Sequence, residues 1–115
     1  MADDLELMQG TLDVLVLRAL LWGERHGYAV ARWIRESSRD ALTIEDRALY
    51  VALHRLEARG AVSSSWGVSE NNRRARYYAL TATGRRLLRT ETDRWSRYVA
   101  AVGAVLIANA DGGAA

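Results

Sequence analysis

Between Val62 and Leu80 the chain changes its hydrophobic period from helical to two. Val62, Ser64, Trp66 and Val68 alternate along one run, and Arg76, Tyr78 and Leu80 along a second. The segment SENNRR, residues 69–74, joins the two runs. A period of two describes strands, and two such runs around a short polar tip describe a hairpin. On both sides of it apolar residues recur at helical spacing. The chain therefore reads as helices carrying one hairpin, mainly α with a small β element.

The segment from Thr11 to Gly23 predicts a buried helix, opened by a capping threonine, with Asp13 in its first turn and glycine as its stop. A second helix starts at His26-Gly27-Tyr28 and runs to about Ser38. It buries Val30, Ala31 and Ile34, with Arg32, Arg35 and Arg39 outside. Residues Leu42 to Ile44 could form one short strand. A third helix is expected from about Glu45 to Arg59, stopping at Gly60. At 100° per residue Leu49, Ala52, Leu53 and Leu56 share its inner face, and Arg47, Val51 and His54 stand opposite, flanked by Tyr50 and Arg55. Ile44 and Leu49 are spaced as a hydrophobic staple. After the hairpin, Thr81 caps a last helix. In it Leu88, Thr92, Trp95, Val99, Val102 and Leu106 form a stripe with the seam spacing of a helix that packs along another helix. The tail ADGGAA is expected to fray.

Charge is distributed unevenly. Residues 1–46 hold five arginines and nine acids, a balance of −4, whereas residues 47–97 hold eleven arginines and four acids, +7. Such asymmetry points to a polyanionic partner for the middle of the chain. There is no cysteine, so no disulfide framework, thiolate nucleophile or thiolate metal site can form. His26 and His54 are not placed as a metal pair; His26 reads as a turn residue opening the second helix. No carboxylate, serine or second histidine stands at catalytic spacing, so neither an enzyme nor a cofactor is expected. The acidic start MADDLELMQG lacks the basic region of a signal peptide, and no apolar run reaches a membrane span. A cytoplasmic protein without membrane contact is the expectation.

Helix, helix, short strand, helix, hairpin with a basic tip and a long helix is the order of a winged helix-turn-helix, whose third helix enters the DNA major groove. Arg73, Arg74 and Arg76 then sit on a wing beside that helix, where guanidinium forks meet phosphates or the minor groove. Asn71 and Asn72 tolerate the left-handed backbone of a tight tip and can donate to phosphate. On the third helix Arg47, Tyr50, Val51, His54 and Arg55 are the candidates facing DNA. Arg47 is suited to guanine and Val51 to a thymine methyl. An ion pair between Arg55 and a nearby acid is its competing role.

The blocks G10-T-L-D-V-L-V-L, H26-G-Y, L49-Y, A52-L-H-R-L-E-A-R-G60 and W66-G-V-S-E-N-N-R-R-A-R-Y-Y-A-L-T-A-T-G84, with the Trp95 helix, resemble the PadR family of bacterial transcriptional regulators. The resemblance covers roughly residues 7–107 and is most specific from Trp66 to Gly84. It resembles the short subtype, with a winged helix-turn-helix over residues 1–84, a single C-terminal dimerisation helix over 85–108 and a disordered tail, 109–115, all in one domain. The resemblance implies a homodimer joined through the last helix, binding palindromic double-stranded DNA operators, usually as a repressor. Trp95, with Leu88, Val99, Val102 and Leu106, is then a dimer anchor or the lining of a pocket for a small hydrophobic or aromatic effector. One departure stands out. Where relatives commonly read E-G-S-L-Y-P-A-L, this chain has Asp46-Arg47-Ala48-Leu49-Tyr50-Val51-Ala52-Leu53, so the family's operator preference does not carry over. Two other readings stay open at this stage. One is a winged-helix module for protein–protein contacts; the other is a ligand-binding dimer without specific DNA binding.

Overall fold

The computed structural model describes residues 10–110. The N-terminal acidic segment before Gly10 and most of the tail expected to fray lie outside the described residues. The elements are α1 (Thr11–Ala19), β1 (Arg25–His26), α2 (Gly27–Ser37), α3 (Asp46–Ala58), β2 (Val62–Val68), β3 (Arg74–Leu80) and α4 (Ala82–Leu106). The sheet is antiparallel in the order β1-β3-β2, with Val62 opposite Leu80 and Val68 opposite Arg74. This is a winged helix with a three-stranded sheet and a long C-terminal helix.

The core lies where the helices meet the base of the hairpin. Val16, Leu17 and Leu20 pack with Val30 and Ile34 of α2, Leu49, Leu53 and Leu56 of α3, Val62, Tyr78 and Leu88. Each large apolar side chain so buried contributes about 1.5–3 kcal/mol. The inner face expected for α3 is the buried one, and Ile44 and Leu49 are both buried as a staple requires. In α2 the inner places go to Ala29, Val30 and Ile34, with Ala31 only partly covered.

Two local expectations fail. Leu42 to Ile44 is not a strand: the Leu42 N–H donates to Ser38 Oγ at 3.0 Å, so the backbone is spent on the turn after α2. The third strand is instead Arg25–His26, set against Tyr77 and Tyr78 of β3. The first helix also departs at both ends. Gly10, at φ 86°, occupies the cap position with Thr11 inside the helix, and the regular turns end at Ala19. Tighter three-residue turns then follow, Leu20 N–H to Leu17 O at 3.2 Å and Leu21 N–H to Arg18 O at 3.1 Å.

The junction into α4 is closely fitted. Thr81 Oγ1 accepts from the Gly84 N–H at 3.0 Å and donates to Gly60 O at 2.6 Å, so the predicted cap also clamps the turn after α3. A Cβ on Gly84 would lie 2.0 Å from the Ala61 carbonyl oxygen, which already accepts from the Thr81 N–H. Only glycine fits there.

Candidate nucleic-acid interface

Because Leu49, Ala52, Leu53 and Leu56 turn inward, the helical period forces Arg47, Tyr50, Val51, His54 and Arg55 outward, and all five are exposed. The hairpin rises beside this face. Its tip is a five-residue turn in which the Ser69 N–H donates to Arg73 O at 2.8 Å and the Asn72 N–H to Ser69 O at 2.9 Å. Asn72 takes φ 59°, the left-handed conformation expected of a tip asparagine. Asn71, Asn72, Arg73 and Arg74 are exposed on it.

Helix α3 and the wing enclose one groove. Of the residues singled out in the sequence, it brings together Tyr50, His54, Asn71, Arg73, Arg74 and Arg76. Arg47 and Val51 stand on the exposed face of α3 outside the groove. Arg55 turns the other way: its guanidinium forks onto the Asp13 carboxylate of α1, with Nε at 3.1 Å from Oδ2 and Nη2 against Oδ1. That hydrogen bond, and then the carboxylate's charge, raise the Arg55 pKa above its ordinary value. The ion pair is thus the contact made by Arg55 in this structure.

Tyr50 has a packing role beside its exposed edge. A Cβ at Gly27 would come within 2.6 Å of the Tyr50 hydroxyl, so the ring lies over the start of α2 and would have to shift to admit a side chain there. Arg76 is also engaged. Its Nε donates to Ser64 Oγ at 3.0 Å, Ser64 donates to Glu57 Oε2 at 2.5 Å, and the guanidinium is 3.7 Å from that carboxylate. Burial raises the Tyr78 phenol above its usual range, against the opposing pull of Arg76.

Further residues line the groove without standing out in the sequence as site residues. Trp66 carries the guanidiniums of Arg74 and Arg76 at 4.4 and 5.5 Å from its ring centre. Tyr28 lies beside Gly27 on the groove wall. His26 caps α2, its Nδ1 accepting from the Ala29 N–H at 3.1 Å, while its Nε2 stands 3.5 Å from Glu70 at the wing tip. The Glu70 carboxyl is held below the usual carboxylate range by its own backbone N–H first and by His26 second. Alternation in the hairpin was the available signal for Trp66, which pairs with Arg76. No local signal links His26 to Glu70.

On the far side, Trp95 and Tyr98 border a second groove against Gly10, Thr11 and Val14 of the α1 start. The expected stripe divides there. Leu88 is 5% exposed and belongs to the core, whereas Trp95, Val99, Val102 and Leu106 are all exposed. Among the described residues no cluster of acids and histidines could hold a metal, and no helix is long and apolar enough to cross a membrane.

A sequence profile of the Transcriptional regulator PadR-like family matches residues 16–90. A PadR family transcriptional regulator from Eggerthella lenta is 32% identical, with a TM-score of 0.75 over 88% of this chain and 86% of its own. A transcriptional regulator from Clostridium thermocellum is 27% identical, with a TM-score of 0.75 over 83% and 92% of the two chains. Bacillus subtilis PadR, solved in complex with operator DNA, shares the fold at 20% identity and a TM-score of 0.65, over 74% of this chain and 48% of that one.

Proposed function

The chain belongs to the PadR-like family of transcriptional regulators, whose members are not enzymes, and on that premise we propose that it is a dimeric repressor gripping a palindromic operator with α3 and the wing. The observation that carries this reading is the groove where exposed arginines of the hairpin face the outward side of α3. Arg73 and Arg74 take phosphates, and Asn71 and Asn72 assist at the tip. Arg47 and Val51 face base edges in the major groove, with Tyr50 and His54 alongside. Arg55 and Arg76, each held by an acid, contribute less free charge than their neighbours. The relative from Bacillus subtilis bound to operator DNA supports the same use of the shared fold.

In this reading residues 1–84 bind DNA and the helix over 85–108 joins two copies. Trp95, Val99, Val102 and Leu106 form the seam, which would otherwise leave large apolar groups in water. The groove at Trp95 and Tyr98 then lies where α4 meets α1, and a planar hydrophobic effector stacks on Trp95. Such a ligand releases DNA only if it favours one separation of the two α3 helices over the other.

Selection of bound duplexes from a random pool tests the proposal. Enrichment of a two-fold symmetric sequence, with half-sites about one helical turn apart, is expected. Recovery of unselected sequence at every salt concentration would contradict specific operator binding.

A further inference from the structure

Trp66 is 56% exposed and lies outside the core cluster, so packing of the core does not account for it. Two guanidiniums meet its ring, and they are not equivalent. Arg76 is hydrogen-bonded to Ser64 and faces Glu57, so its charge is matched by an acid at the end of α3. Arg74 stands opposite Val68 in the ribbon, is exposed, and among the described residues meets no acid. Its contact is the indole, at 4.4 Å. Both arginines and the ring open onto the groove between α3 and the wing.

We infer that Trp66 is a positioning residue for DNA binding: its ring, which Arg76 also meets, holds the Arg74 guanidinium in the groove before a phosphate arrives. An arginine free in water samples many rotamers, and ordering it on binding opposes affinity. Stacking on an indole removes part of that cost in advance, because the ring face attracts the cation and its plane matches the guanidinium. Lysine, a compact charge without a plane, would be held less well. This inference rests on the reading that the groove takes DNA.

The test is fluorescence anisotropy of a labelled duplex across a range of salt, for the native chain, Trp66→Leu, Arg74→Ala and the double variant. Trp66→Leu is expected to weaken binding about two- to fivefold, the scale of an exposed cation–π contact. The salt slope should stay unchanged, since the guanidinium still reaches its phosphate. Arg74→Ala should weaken binding and lower the slope by about one unit per subunit. In that background Trp66→Leu should have no further effect. A Trp66→Leu loss that persists in full without Arg74, or no loss at all, overturns the inference. Thermal midpoints recorded alongside identify damage to the ribbon. If Trp66→Leu lowers the midpoint, Arg74→Lys decides instead, because it keeps the charge and leaves the indole in place. Weaker binding at unchanged slope supports the role, and native affinity overturns it. If the native chain binds no duplex, the reading of the groove itself fails; additive losses in a chain that does bind defeat only the role of Trp66.

Discussion

At Leu88 the α4 helix is 5% exposed; two turns on, Trp95 is 48% exposed, and at Leu106 the figure is 78%. One continuous apolar stripe thus runs through two environments. The proximal part closes the winged-helix core against α1, and the distal part carries its large apolar side chains in water. Among the described residues no buried side-chain N or O lacks a partner, and residues 11–91 bury an apolar core of their own within one chain. The distal helix does not, and its exposed seam is the physical reason for proposing a second copy of the chain.

Substitutions in the two regions should behave differently. The largest effect is expected from Gly84→Ala. The added methyl would overlap a backbone oxygen that already accepts a hydrogen bond, so the cost should exceed about 4 kcal/mol, or folding should fail in a thermal or denaturant melt. Next, Leu53→Ala, fully buried in α3, should lose about 2–5 kcal/mol by denaturant titration, with a midpoint shift independent of protein concentration. Paired Val99→Glu and Val102→Glu should change the stability of the single chain by under about 1 kcal/mol, since neither side chain belongs to the core. Self-association should nevertheless be lost in sedimentation, and the melting point should stop depending on concentration. A native-like dimer from that double variant would show that the exposed part of α4 is not the seam.

The smallest effect lies at the rim of the self-sufficient region. Glu70 titrates below the usual carboxylate range through its own backbone N–H and through His26. Its folded pKa is therefore depressed. The associated stability is present above the unfolded value, near pH 4.3, and is lost as pH falls through the folded one. Glu70→Gln should flatten the acid limb of a stability–pH curve slightly and leave the neutral region nearly unchanged.

The α3 faces, the hairpin and the Thr81 cap were legible because each depends on residues within a few positions of one another. What escaped depends on contacts between distant parts of the chain. The strand Arg25–His26 has two residues and no alternation to display, and it exists because β3 offers a free edge. Leu88 fits the stripe equally well as core or seam, and only the placement of α1 decides. Arg55 finds its acid forty-two positions back, at Asp13. The charge of the wing was plain from composition. The indole that orders part of it became a site residue only when the ribbon and α3 enclosed a groove.

In the proposed function α3 and the wing form a surface for duplex DNA. Its most direct test is the salt dependence of duplex affinity for the native chain and for a chain with Arg73→Ala and Arg74→Ala together. The double variant should bind every duplex more weakly, with a slope flattened by about one to two units per subunit, because fewer counterions are released. Unchanged affinity and unchanged slope in the double variant would contradict it.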